Sequence, residues 1–247
     1  IATNQRKNKM PVSLAKSPLF LMLDTETIFL RKKAYEIAFL VFDSVSCQVI
    51  TKGRFLIAET IKSALWYTAT NGATPIFWPH RLDMAACLRS SDCVPLKKAL
   101  DILCRVIKDN DINAIIAHNV QFDISALYST EAAYCEPSDC ILLENIGHIN
   151  KLELSGYFVH NLAKNTAFEV PYKAKSGCVT FKADYLVPFL TGGVQAHDAL
   201  GDCLNQLAIY KLTNGRYANK GSIFGNMKAY HANQHNGDLR LGTSELE

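Results

Sequence analysis

The sequence lacks the long apolar run that a membrane-spanning segment requires. A transmembrane helix needs about 20 consecutive apolar residues, and no stretch of this chain approaches that length. No signal peptide is apparent in the sequence either. We therefore predict a soluble, cytoplasmic protein that has no membrane partner.

A strong charge imbalance and internal repeats are also missing. The net charge of the 247 residues is only +3, and the isoelectric point is about 8.4. This mild excess of positive charge is compatible with a nucleic-acid partner but is no evidence for one. No repeat divides the chain, and 49% hydrophobic residues over this length are enough for one substantial core. We expect one domain with additions.

Eight cysteines are present, but their spacing is not that of a disulfide framework. Without a secretory signal, this distribution predicts reduced thiols. One alternative stays open, which is a structural zinc ion bound by residues from the middle of the chain. The candidate ligands are Cys135, Cys140, His148, His160 and Cys178. Their spacing fits none of the standard paired patterns of zinc ligands.

An apolar run followed by two acids is the most informative feature of the chain. The apolar run of residues 18–23 predicts a buried strand that ends in Asp24-Thr25-Glu26-Thr27. Side chains alternate faces along a strand, so Asp24 and Glu26 project from one face. Two carboxylates at the end of a buried element repel each other unless a cation compensates them. Oxygen ligands of this kind suit Mg²⁺ or Mn²⁺, and the alternative is a strand end where a polar loop simply begins.

A second acid follows another short apolar strand. Residues 114–117 predict that strand, His118-Asn119 interrupts it, and Asp123 lies in the first turn of the helix that follows. Taken alone, Asp123 would be a helix-favouring charge near the positive end of the helix dipole.

The third polar segment begins an amphipathic helix whose apolar stripe contains Leu200, Leu204, Leu207 and Ala208. Asp198 is suited to cap the N-terminus of this helix. Asp202 lies about one turn further on and can reach the same region. His197 precedes the cap, on the loop that leads into the helix.

In this order, the three segments resemble the DEDDh branch of the DnaQ-like 3′→5′ exonucleases, which have a ribonuclease-H-like fold. Asp24 and Glu26 match the first motif, Asp123 matches the second, and His197 with Asp202 matches the third. The resemblance implies an α/β fold with a mixed central sheet flanked by helices.

The resemblance also divides the chain into parts. It covers residues 17–212, which we interpret as a DEDDh exonuclease domain. Residues 1–16 would be a flexible arm or a tag remnant, and residues 213–247 a C-terminal extension with possible phosphate contacts.

The activity implied by the resemblance is the release of nucleoside monophosphates from the 3′ end of single-stranded DNA and/or RNA by two-metal-ion hydrolysis. In that family Asp24 would bridge two Mg²⁺ or Mn²⁺ ions, Glu26 and Asp202 would complete one site, and Asp123 would hold the other ion. His197 would be the general base, because a histidine can take a proton from water near neutral pH.

Residues around the motifs are candidates for contacts with the nucleic acid. They are Thr25, Thr27, Ile28, Phe29, Asn119 and Phe122. Many relatives have a glycine-containing turn after the first motif, whereas Ile28-Phe29-Leu30 stands here. This trio could stack on the terminal base or form a covered hairpin turn. The basic residues 31–33 that follow would attract a phosphate backbone or form a solvated charge cluster.

The remaining pattern predicts the elements around these motifs. Strands are expected at 34–42 and 49–57, in an antiparallel meander with the first strand, and an amphipathic helix at 96–108. Residues 59–91 carry both tryptophans, and we expect these aromatic residues to pack an insertion onto the core, with base stacking as the alternative. Short helices are expected around Leu152, Leu154 and Leu162, and another helix at 182–190.

Two other functions stay open at this point. The chain could be a proofreading subunit that acts with a separate polymerase, since no polymerase motif is visible, and it could form a homo-oligomer. It could also be a non-catalytic nucleic-acid-binding module. The presence of all five motif residues argues against that module, because loss of a ligand is what such a protein would show.

Overall fold

A computed structural model of the chain describes residues 17–28, 32–72, 83–154, 183, 187–188, 192 and 197–217, with side chains up to residue 211. Several predicted features lie outside these residues. They are the arm at 1–16, Phe29, Trp78, His160, Leu162, Cys178, most of the helix at 182–190 and most of the C-terminal extension.

A six-stranded mixed sheet with the order β4-β3-β2-β1-β5-β6 forms the centre of the fold. Strands β1 (Leu19–Ile28), β2 (Lys33–Asp43) and β3 (Val49–Ile57) make the predicted antiparallel meander. Three short strands pair in parallel with a neighbour. Strand β4 (Cys93–Val94) pairs with β3, β5 (Ala114–Ala117) pairs with β1, and β6 (Asn150–Glu153) pairs with β5. This architecture confirms the predicted α/β fold class.

The predicted short helix around Leu152 is wrong, because Leu152 lies in strand β6. Its side chain is buried, and its backbone pairs with that of Ile116. The four residues of β6 are mostly polar, so an apolar pattern could not reveal this edge strand.

Six α-helices have both ends defined among the described residues. They are α1 (Ala58–Asn71), α2 (Met84–Arg89), α3 (Leu96–Asp109), α4 (Val120–Tyr134), α5 (Leu142–Ile146) and α6 (Ala199–Tyr217). Helix α3 confirms the amphipathic helix predicted at 96–108, and α6 continues beyond the predicted domain boundary at residue 212. None of these helices is both long and apolar enough to cross a membrane.

Helices cover both faces of the sheet, and alternate residues of β1 pack against them. Leu21 and Leu23 belong to the cluster formed with α3 and α4. Phe20 and Met22 belong to a second cluster, which includes side chains of α6. The hydrophobic core is therefore divided by the sheet, and β1 is buried in the middle of it.

The buried stripe of α6 differs from the predicted one. Leu204 is 44% exposed, whereas Cys203, Leu207 and Tyr210 are buried against the sheet. The cysteine thiol lies 3.5 Å from the carbonyl oxygen of Ala38, so the helix approaches β2 closely at this point. Leu204 faces solvent because the Asp198 cap and the hydrogen bonds of Asp202 and Gln206 set the rotation of the helix.

Strand β1 runs through the two acids to Ile28, which confirms the predicted strand that ends in Asp24-Thr25-Glu26-Thr27. Antiparallel pairing places Asp24 opposite Ala38 and Glu26 opposite Glu36. The register then shifts, because Thr27 pairs with Ala34, and the extra residue of β2 forms a bulge. The carboxylates thus project from a paired, central strand and not from a loop.

Candidate active site

Three carboxylates from two elements meet at the α6 face of the sheet. Asp24 and Glu26 project from β1, and Asp202 comes from the first turn of α6. One oxygen of each lies within 4.8 Å of the others. No second group of three potential metal ligands occurs in the part of the chain that the structure describes.

Burial and mutual repulsion make these carboxylates hard to ionise together. Burial is the main cause that raises the pKa of Asp24 well above its ordinary value, and the charges of Asp123 and Asp202 raise it further. Burial also raises the pKa of Glu26 to about 8, again with a contribution from Asp202. A divalent cation would offset this repulsion, and an all-oxygen donor set is what Mg²⁺ and Mn²⁺ prefer.

Asp123 reaches the site from the α4 side of β1. The pairing of β5 with β1 ends at Ile116 and Met22, and beyond this point α4 begins and approaches β1. The Asp123 carboxylate accepts hydrogen bonds from the N–H of Thr25 at 2.9 Å and from its hydroxyl at 2.8 Å. Burial raises the pKa of Asp123 to about 7, although the Thr25 hydrogen bonds lower it.

Gln206 joins Asp24 to the end of β5. Its Nε2 donates to Oδ1 of Asp24 at 2.7 Å, and its Oε1 accepts the backbone N–H of His118 at 3.0 Å. Gln206 is 2% exposed and lies one turn after Asp202 on α6. Gln206 was not predicted from the sequence, although its helical spacing from Asp198 and Asp202 was a usable signal.

His197 is tied to the cluster through its backbone. Its N–H donates to Oδ1 of Asp202 at 3.2 Å. Its φ of 52° is in the left-handed region, which a non-glycine residue adopts only when its surroundings hold it there. Asp198 accepts the N–H of Gly201 at 2.8 Å, as expected for the predicted N-cap of α6.

The predicted contact residues around the second motif have local structural roles. Asn119 caps α4, because its Oδ1 accepts the N–H of Phe122 at 3.2 Å. Phe122 is half-buried, and the ammonium group of Lys32 lies 5.8 Å from the centre of its ring. A positive charge therefore stands next to the residue that precedes Asp123.

The predicted contact residues of the first motif differ in their accessibility. Thr25 is buried and bound to Asp123, whereas Thr27 is half-buried. Ile28 is 4% exposed and packs in a cluster with Tyr35 and Ile61. Its position in this cluster corresponds to the covered alternative and not to a base-stacking wedge.

Two further hypotheses concern the middle of the chain. Trp66 on α1 is 68% exposed, so the prediction that it packs onto the core is wrong, and α1 is held through Ile61 and Ala64. Within the described ranges, the candidate zinc ligands Cys135, Cys140 and His148 do not gather into a metal-binding group.

Similarity to known proteins is found in structure only. No protein-family profile matches the chain, and no curated protein matches its sequence. Escherichia coli exonuclease I in complex with a dA16 oligonucleotide aligns with a TM-score of 0.58 and 16% identity, over 82% of this chain and 42% of its own. The zinc-bound form of the E. coli exonuclease I complex with single-stranded DNA gives 0.55 and 16%, over 81% and 41%.

A smaller protein matches along nearly its whole length. The nuclease domain of 3'hExo, a DEDDh family member bound to rAMP, aligns with a TM-score of 0.52 and 10% identity, over 82% of this chain and 94% of its own. By contrast, the chain spans about two-fifths of exonuclease I. At these identities the likeness concerns the fold alone, and the chain shares the fold of exonuclease I and of the 3'hExo nuclease domain, a DEDDh family member.

Proposed function

We propose that this chain is a divalent-metal-dependent 3′→5′ exonuclease that releases nucleoside monophosphates from single-stranded DNA and/or RNA. The observation that carries the proposal is the convergence of Asp24, Glu26 and Asp202 within 4.8 Å, next to Asp123. Partly or fully buried carboxylates that repel each other destabilise a folded protein. We therefore infer that their role is chemical.

The metal ions, Mg²⁺ or Mn²⁺, would be held by Asp24, Glu26 and Asp202, with Asp123 as the fourth carboxylate. All of these donors are oxygen atoms, which suits hard cations of this type. A bound pair of such ions supplies activation of the attacking water and stabilisation of the leaving oxygen in phosphodiester hydrolysis.

Neutral groups of the protein would hold the acids in place without cancelling their charge. Thr25 binds the carboxylate of Asp123 through two hydrogen bonds, and Gln206 donates to Asp24. His197 would accept the proton of the attacking water, as histidines do in general base catalysis. Because its N–H is bound to Asp202, the base would be attached to the same framework as the acids.

The proposed substrate is a nucleic-acid strand with a free 3′ end. Exonuclease I was solved with single-stranded DNA and 3'hExo with rAMP, and both share the fold of this chain, which supports this choice. Lys32 stands above the ring of Phe122 and would attract the phosphate backbone beside the acids. Thr27, Phe29 and Asn119 remain candidates for substrate contacts.

A time course on 5′-labelled single-stranded DNA and RNA of identical sequence tests the proposal. The reactions contain Mg²⁺, Mn²⁺ or EDTA, and the matched control is Asp202→Asn, which keeps an oxygen that can accept the His197 N–H. We expect a ladder that shortens from the 3′ end, requires metal and is absent in the variant. The relative rates on the two substrates give the sugar preference.

No ladder on either substrate would contradict the exonuclease proposal. A gel shift of the same oligonucleotides without cleavage would then favour a nucleic-acid-binding module. A ladder that appears only after a polymerase is added would favour the proofreading subunit.

A further inference from the structure

A further acidic side chain, Glu36, lies beside the cluster of Asp24, Glu26 and Asp202. It is directly opposite Glu26 in the β1–β2 ladder, so the two side chains project from the same face of the sheet. Glu36 is only 1% exposed. A buried carboxylate next to other carboxylates is unfavourable without compensating contacts, so the contacts of Glu36 indicate why it is there.

The contacts of Glu36 come from two different elements and involve the same oxygen. Arg54 of β3 places its Nε 2.6 Å from Oε1. The backbone N–H of Ala199 donates to this oxygen at 3.3 Å. Ala199 is the first residue of α6, where the helix cannot satisfy its own N–H groups. Glu36 therefore joins β2, β3 and the start of α6.

The start of α6 determines where the candidate catalytic groups lie. His197 and Asp198 precede Ala199 directly, and Asp202 follows within one turn. The left-handed backbone of His197 needs support from its surroundings. The hydrogen bond at Ala199 lies two residues further on and holds the chain against the sheet there.

Arg54 strengthens the same junction. Its guanidinium interacts with the charge of Asp198, the residue that caps α6, as well as with that of Glu36. Its Nη1 is also 3.8 Å from the carboxylate of Asp92, which lies just before β4. These opposite charges attract one another across the contact between α6 and the sheet.

We propose that Glu36, oriented by Arg54, is a positioning residue that holds the His197 turn and the first turn of α6 at the distance from β1 that the acidic cluster requires. The kinetic consequences rest on the proposed nuclease function, and the structural consequences do not. Without an acceptor at Oε1, the start of α6 can move. A displacement of about 1 Å in a catalytic site can lower the rate by about 10²-fold.

The variants Glu36→Gln and Glu36→Met separate hydrogen bonding from side-chain bulk. Gln keeps an oxygen for Ala199 and Arg54, whereas Met has a similar length and no comparable acceptor. With a labelled oligonucleotide, below the Tm of every variant, we expect kcat to fall about 10–100-fold in the Met variant and KM to stay unchanged. The Gln variant should retain kcat within about threefold.

Amide hydrogen exchange gives a readout that needs no activity. In the metal-free protein, Glu36→Met should increase exchange at Ala199 and in residues 197–203, while residues 19–23 of β1 stay protected as in the wild type. Glu36→Gln should exchange like the wild type. If the wild type does not cleave nucleic acid but exchange changes in this way, the nuclease proposal fails and the positioning role stands.

Three results would overturn the positioning role. One is unchanged exchange around Ala199 in the Met variant, and another is a Met variant with the kcat of the wild type. The third is a Gln variant as slow as the Met variant, since an oxygen that accepts the Ala199 N–H would then not be enough to position α6. Arg54→Gln should lower kcat in the same sense, and a raised KM with unchanged kcat would instead make Arg54 a substrate contact.

Discussion

At the level of single residues, Asp24 has a neutral hydrogen-bond partner and several charged neighbours of its own sign. Gln206 donates to it, while Asp123, Asp202 and Glu26 all raise its pKa. The charge of Asp24 is therefore unfavourable for folding of the metal-free protein, and it is useful only when a cation is present.

Asp24→Asn should abolish metal-dependent hydrolysis and raise the Tm in EDTA, because one of the four repelling carboxylates is removed while an acceptor for Gln206 stays. Thermal unfolding with EDTA and with Mn²⁺ measures both effects. Asp101→Asn, an exposed residue on α3, is the matched control for loss of one charge. A variant that still gains the full wild-type Tm increase on addition of Mn²⁺ would contradict the assignment of Asp24 as a ligand.

His197→Asn should slow hydrolysis by roughly 10²–10⁴-fold, the usual contribution of a general base, with unchanged KM. Asn tolerates the left-handed backbone at this position, so the change removes the imidazole with little added strain. Single-turnover kinetics of the variant and of His148→Ala, an exposed control, measure the effect. Equal rates for His197→Asn and the wild type would show that another group takes the proton.

The stability of the metal-free protein should fall as the pH rises. Burial raises the pKa of Glu26 from 4.5 to about 8 and that of Asp123 from 3.8 to about 7. A carboxyl group with a raised pKa contributes stability that is complete below its unfolded pKa and is lost as the pH passes its folded pKa. In EDTA, the Tm of the wild type should decrease between about pH 5 and pH 8 relative to that of Glu26→Gln. Parallel Tm curves for the two proteins would refute this.

At the level of elements, Thr130 attaches α4 to the start of β2. Its hydroxyl accepts the N–H of Ala34 at 2.8 Å and donates to the carbonyl of Ala126, and both Thr130 and Ala34 are fully buried. Thr130→Val has the same shape but leaves that N–H without an acceptor. We expect the free energy of unfolding to fall by about 1–3 kcal/mol. In denaturant titrations Thr130→Ser should unfold closer to the wild type, and equal losses in both variants would point to packing instead.

The sequence predicted the elements whose own residues carry a clear apolar pattern. Strand β2 was anticipated closely because it is one continuous buried apolar run, and helix α3 because its buried residues recur at helical spacing. Strand β3 was also placed correctly. The pairing of β1 with β2 continues through Asp24 and Glu26, and the register of this pairing could not be predicted from the polarity of the residues.

In the candidate site, too, the sequence revealed the residues that stand out in their own segment and not those whose role depends on contacts with other segments. The motif acids were recognisable from their positions next to predicted strands and helices. Glu36, Arg54 and Gln206 were missed because their contacts depend on the strand register and on the docking of α6. Glu36 was still visible as the single charged residue in the apolar run 34–42.

At the level of the whole molecule, residues 17–217 should contain every side chain that metal binding requires. We expect a shortened chain of residues 17–217 to keep the Tm increase on addition of Mn²⁺ and to hydrolyse the labelled oligonucleotide in the proposed reaction. The boundary at 217 keeps α6 complete, whereas the sequence-based boundary at 212 would cut it. Loss of the Mn²⁺ effect, with the fold intact by circular dichroism, would show that residues outside this range contribute to the site.

The hydrogen bond between Gln206 and Asp24 joins residues that are 182 positions apart. Contacts between such distant parts of a chain form late, because a long loop must close first. During synthesis, strand β1 with its two acids leaves the ribosome long before α6 does. A nascent chain that has folded only through β6 therefore has no complete acidic cluster. In a nuclease, this order of events would keep the unfinished polypeptide harmless to the nucleic acids around it.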